Sequence, residues 1–135
     1  MLLPHGTVFA LVDGERFELY RNSGMEAEPK LTALPTPELE ETNKSAGMRH
    51  HANTRDPSDD RLDEDAHAIA VADWLNDQAI TNKLEKLVII ADPRSLGEMR
   101  KRYHKELKSV LIGELDRTLT GSKPDAIVKA LRAVD

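Results

Sequence analysis

The sequence predicts a single α/β domain, residues 1–135, built on a mixed five-stranded sheet, and three observations predict it. Residues 7–13 (TVFALVD) and 86–92 (KLVIIAD) are nearly unbroken apolar runs, the mark of strands covered on both faces. Between them runs a long amphipathic helical pattern, and a strand, helix, strand succession brings parallel pairing with a right-handed crossover. At 135 residues, 39% hydrophobic and 32% charged, the chain can bury a real core without staples.

The elements follow in order. After the first strand, Asp13-Gly14 is a strong hairpin signal, because glycine accepts the positive φ of a tight turn. In ERFELYR, Phe17 and Leu19 alternate with Glu18, which reads as an antiparallel return strand. KLTALP is a third strand ended by Pro35 and Pro37, residues tolerated mainly at sheet edges. Residues 40–60 hold almost no large apolar side chain and read as a flexible loop.

Asp59 or Asp60 is placed to cap the next helix. His67, Val71, Trp74 and Leu75, with Ala68 and Ala72, form its inner stripe, and Asp65, Asp73 and Asp77 lie away from it. The strand at 86–92 ends in Asp92-Pro93, a helix cap followed by a proline whose missing N–H costs nothing there. One helix is expected to follow, with Leu96, Met99, Tyr103 and Leu107 buried. SVLIGELDRTLT fits either a continued helix or a strand. Val110, Ile112 and Gly113 favour a strand, placed at 107–115. Ser122 and Pro124 announce a final helix with Ile127, Val128, Leu131 and Val134 inside. The order β-β-β-α-β-α-β-α, with helices packed on the sheet, is that of the RNase-H-like fold, an analogy that rests on element order alone.

Composition narrows the function. The formal net charge is −5 and the pI about 5.5, which argues against wholesale coating of nucleic acid or membrane but not against a local basic patch. With no cysteine there are no disulfides, thiolate metal sites or cysteine nucleophile. The opening MLLPHGTVFALVDGERF lacks a basic n-region and reads as a strand rather than a signal peptide. No apolar run approaches the roughly 20 residues that span a bilayer. A cytoplasmic location is the expectation.

Catalytic readings meet simpler explanations. Asp13 and Asp92 end two strands that should be parallel neighbours, so their carboxylates could hold Mg²⁺ in a nuclease, with Glu64 or Asp73 as a third ligand. Yet Asp13 is accounted for by its turn, Asp92 by helix capping and Asp73 by a solvated helix face. His50 and His51 are adjacent in the polar loop, His67 begins an apolar stripe, and His104 stands apart. No pair has the spacing that puts two imidazoles on one helix face, so no metal or cofactor is expected. Gly-x-Ser-x-Gly, P-loop and Gly-x-Gly-x-x-Gly patterns do not occur, and Ser95 reads as the second or third residue of a helix.

Positive charge collects in one place. Arg94, Arg100, Lys101, Arg102, Lys105 and Lys108 stand within 15 residues against Glu98 and Glu106. On one continuous helix, Arg94, Lys101, Lys105 and Lys108 would face away from the apolar stripe, while Arg102 would be partly neutralised by Glu98 and Glu106. A solvated helix face looks much the same. But a helix leaving the carboxyl end of a central strand is also where open α/β sheets place ligand contacts. With Trp74 and Tyr103 in buried positions, sequence-specific stacking on bases is not expected.

DPRSLGEMRKRYHKEL, preceded by KLVIIA and followed by GELDRTLT, resembles the bacterial host-attachment proteins, described as required for attachment to host cells. Pro93, Arg94, Leu96, Gly97, Arg100, His104, Lys105 and Glu106 carry the match, with Leu119-Thr120 close to a last element. VFALVDGERFELYRN and AVADWLN extend it along most of the chain. That family is similar in turn to the middle domain of archaeo-eukaryotic peptide-chain release factors, which implies the RNase-H-like sheet by a second route. Those factors hydrolyse peptidyl-tRNA with a Gly-Gly-Gln loop. No such tripeptide occurs in this chain, so that activity is not implied. The resemblance implies a non-catalytic binding domain. The expected contact residues are Arg94, Arg100, Lys101, Lys105 and Lys108, and the expected partner is RNA, the ribosome or an acidic protein.

Overall fold

The computed structural model describes residues 1–39 and 57–134. The elements are β1 (Val8–Val12), β2 (Phe17–Asn22), β3 (Leu31–Leu34), α1 (Pro57–Ile80), β4 (Leu87–Ala91), α2 (Pro93–Arg100), α3 (Lys105–Val110), β5 (Leu111–Asp116) and α4 (Pro124–Arg132). Most of the loop expected at 40–60 lies outside the described residues.

The sheet runs β3-β2-β1-β4-β5. β1 pairs antiparallel with β2 and parallel with β4, and β4 pairs parallel with β5. The two apolar runs are therefore neighbours at the centre, and every residue of β1 and β4 is buried. Alternation divides their side chains between two cores. Ala10, Val12, Leu87 and Ile89 face α1, α2 and α3, meeting Val71, Leu75, Leu96, Met99 and Leu107. Phe9, Leu11, Val88 and Ile90 face the other way, where Leu3 and the Ile127 and Leu131 side chains of α4 cover them.

A buried amide ties the amino terminus to this sheet. Asn22 donates to the Leu3 carbonyl at 2.8 Å and accepts from the Gly24 and Lys30 N–H groups at 2.9 Å each. With both ends satisfied, the amide closes the β2–β3 turn and fixes the segment that seals the second core.

The structure departs from the expected elements at three places. Asp59 and Asp60 lie inside α1, which begins at Pro57, rather than at its cap. The single helix after β4 is two, α2 and α3, and β5 begins at Leu111 rather than near 107. Asn76 of α1 causes the break: its amide donates to the Arg102 carbonyl at 2.9 Å and accepts from the His104 N–H at 3.0 Å. The His104 ring then caps α3, Nδ1 accepting from the Glu106 N–H at 3.0 Å. Leu107 stays fully buried, but from the new helix rather than from a strand. At the third place, Lys123 rather than Ser122 holds the cap position of α4, without a side-chain cap bond, and Pro124 sets the first turn.

Candidate partner-binding face

Asp92 is the cap of α2, Oδ2 accepting from the Ser95 N–H at 3.1 Å, with Pro93 first and Ser95 third in the helix. Arg94 therefore stands at the carboxyl ends of β1 and β4. Arg100 and Lys101 come at the far end of α2, and Lys105 and Lys108 on α3. The broken helix does not present one row of these five cations.

The basic segment is also largely neutralised. Arg94 forks onto Asp65, Nε to Oδ1 and Nη2 to Oδ2, both at 3.0 Å. Arg102 does the same with Asp73, its Nη2 lying 3.0 Å from Oδ2. Both pairs span 29 residues, so α1 and α2 run side by side in the same direction with two ties eight residues apart. Arg100 forks onto Glu114 of β5, Nη2 to Oε1 at 3.0 Å, and Lys101 meets Glu98 at 3.0 Å. These hydrogen bonds raise the pKa of Arg94 and Arg100, holding both firmly charged.

One expectation is corrected here. Arg102 is balanced by Asp73 rather than by Glu98 and Glu106. The fork edges of Arg94 and Arg100 are already occupied, so an incoming anion must displace a carboxylate or use the remaining Nη1. Lys105 and Lys108 are different. Both are exposed, and among the described residues neither has a carboxylate partner.

The aromatic residues are committed. Trp74 packs edge-on against Phe17 with ring centroids 5.7 Å apart. Tyr103 donates its hydroxyl to Glu114 Oε2 at 2.7 Å. Burial first, then this bond to a carboxylate, pushes its pKa well above the usual phenol value.

The carboxylates proposed for a nuclease do converge at one end of the sheet. Val12 lies opposite Ala91, so Asp13 and Asp92 follow on adjacent parallel strands. A Cβ placed on Gly14 would meet Glu64 Oε1 at 2.6 Å, so Glu64 lies over the same turn. Asp13, however, is fully engaged. Oδ1 accepts from the N–H groups of Glu15 at 2.8 Å and Arg16 at 2.6 Å. Oδ2 takes Arg16 Nε at 2.9 Å and the Thr120 hydroxyl at 2.5 Å. Partial burial raises its pKa, but these bonds outweigh burial and hold it at about 2. Asp92 has one buried oxygen, Oδ1, without a hydrogen-bond partner. Asp73 is held by Arg102. Among the described residues no three His, Cys, Asp or Glu are grouped so that they could hold a metal ion.

Of the histidines, His67 is buried with Nε2 3.1 Å from the Arg16 carbonyl, and His104 caps α3. His50 and His51 lie outside the described residues.

Sequence reasoning missed the clamp between the β1–β2 turn and the loop after β5. Thr120 bonds Asp13 and accepts from Arg16 Nη2 at 3.1 Å, while the Gly121 N–H donates to Glu18 at 3.1 Å. The VDGER turn and the DRTLT loop, two segments that carry the family likeness, thus meet at the end of the sheet where DPR also lies. No local pattern in either loop signals it, because the partners lie 107 residues apart.

The sheet, parallel at its centre and antiparallel towards β3, defines a mixed-sheet α/β fold. The chain belongs to the bacterial archaeo-eukaryotic release factor family 12, whose family model matches residues 6–131. No curated protein matches it. Among the described residues no helix is long and apolar enough to cross a membrane.

Proposed function

We propose that this protein is a cytoplasmic, non-catalytic binding domain on an RNase-H-like sheet, which contacts RNA, with the ribosome as its carrier, through α2, the turn at 101–104 and α3. The observation that carries this reading is the exposed pair Lys105 and Lys108, free of carboxylate partners among the described residues. Arg100 and Lys101, 55% and 70% exposed, supply further charge close by in the chain. Exposed ion pairs of that kind are worth about 0–1 kcal/mol, so exchanging a carboxylate for a phosphate costs little. Counterion release from the nucleic acid drives the exchange. Membership of a release-factor family supports a partner in translation. The likeness to host-attachment proteins fits the same reading, with attachment as an indirect cellular effect.

Co-sedimentation with ribosomes and bulk RNA across a salt series tests it. The expected result is capture that fades with salt and disappears in Lys105→Glu/Lys108→Glu at unchanged melting temperature. No capture at low salt would overturn the RNA partner, and capture of an acidic protein instead would reassign the face.

A further inference from the structure

At the opposite end of the sheet from the clamp lies a cavity of about 300 Å³ between the amino end of β1, the end of β2 and the turn from α1 into β4. Its lining includes His5, Gly6, Arg21, Asn82, Lys83 and Glu85. We infer that it binds a small phosphorylated sugar or polyol, with Arg21 and Lys83 on the phosphoryl group and Glu85 on a hydroxyl.

Charge comes first. Arg21 and Lys83 have no carboxylate partner among the described residues, in contrast to the paired arginines of α2. An unpaired guanidinium keeps its whole fork for a tetrahedral oxyanion, and the ammonium adds a mobile point charge. The His5 ring is pinned, Nδ1–H donating to the Gly24 carbonyl at 2.7 Å, which leaves Nε2 as its remaining polar atom.

The carboxyl end of α1 would ordinarily repel an anion. Here three of its last carbonyls are consumed. Asp77 accepts from Thr81 N–H at 3.0 Å and Thr81 Oγ1 at 2.7 Å, Ala79 from Asn82 at 3.1 Å, and Gln78 from Lys83 at 2.8 Å. Asn82 takes the left-handed conformation this cap needs, φ 61°, and so turns the chain to bring Lys83 to the cavity.

Size and lining set the class. Ligand pockets run from about 300 to 1,000 Å³, so this one, at the lower bound, suits a pentose phosphate or smaller. The lining holds no Phe, Tyr or Trp on which a base would stack. Glu85 disfavours a ligand that is anionic throughout and favours one that offers a hydroxyl donor.

Titration of the ¹⁵N-labelled protein with inorganic phosphate and with ribose 5-phosphate tests the assignment. Saturable shifts at Gly6, Asn82 and Lys83 are expected for both, with ribose 5-phosphate at least tenfold tighter. Arg21→Gln and Lys83→Gln should each weaken both ligands at least tenfold, and Glu85→Gln should narrow the difference between them. Lys105→Glu/Lys108→Glu should change nothing here, which separates this site from the RNA-binding face. Absence of saturable shifts, equal affinity for the two ligands, or wild-type binding by Arg21→Gln and Lys83→Gln would overturn it.

Discussion

The Arg100 guanidinium of α2 and the Glu114 carboxylate of β5 form a forked pair, Nη2 to Oε1 at 3.0 Å, and the same carboxylate accepts the Tyr103 hydroxyl at 2.7 Å. One acidic side chain thus anchors the end of α2 to the edge strand and masks a cation of the proposed binding face. Glu114→Gln keeps the shape and an acceptor for Tyr103 but removes the charge. RNA capture should then strengthen, and the slope of log affinity against log salt should steepen by about one phosphate contact. Anisotropy of a labelled RNA at several salt concentrations measures both.

The clamp on Asp13 gives the fold an acid-sensitive contribution. Its pKa is lowered from 3.8 to about 2, so the carboxylate stabilises the native state above pH about 4. That stability is lost as pH falls from about 4 through 2. Among the bonds that lower the pKa, the one from the Thr120 hydroxyl leads. Thr120→Val should therefore raise the Asp13 pKa and shift acid unfolding to higher pH. Asp13→Asn should flatten the pH dependence between 4 and 2. Fluorescence of Trp74, the single tryptophan, follows the unfolding.

Leu107 is the anchor of α3, fully buried against the core shared with α1. Leu107→Ala should cost about 2–5 kcal/mol in denaturant unfolding. Asn76→Ala removes the two bonds that break the helix and should cost about 1–2 kcal/mol. Its further signature is loss of amide protection at His104 in hydrogen exchange.

Gly97 sits in the interior of α2, where a Cβ would meet no atom within 4 Å. Gly97→Ala should stabilise the protein by about 0.5–1 kcal/mol through helix propensity. A shift of the urea midpoint to higher concentration checks it. A loss of stability would mean that α2 tolerates no side chain at that point.

What the sequence could disclose was periodic or local. β1 and β4 were legible because five buried residues in a row leave no other strand type, and the α1 stripe because its spacing is helical. The Asp92-Pro93 corner was legible because capping is decided within three residues. The break at 101–104 was not, since Asn76 of another helix makes it across 26 and 28 residues. The basic cluster was visible, but its neutralisation was not: Asp65 and Asp73 lie 29 residues from their arginines, and only the packing of α1 beside α2 brings them together. The clamp of Thr120 on Asp13 spans 107 residues and left no pattern to read.

The central claim is that α3 presents the charge that captures RNA. Binding of a labelled RNA to wild-type protein and to Lys105→Glu/Lys108→Glu across a salt series tests it most directly. The account predicts that the double variant loses most of its low-salt affinity, with a salt slope shallower by about one for each lysine, at an unchanged melting temperature. Equal affinity and equal slope in the two proteins would contradict it and leave Lys105 and Lys108 as the solvated side of a short helix.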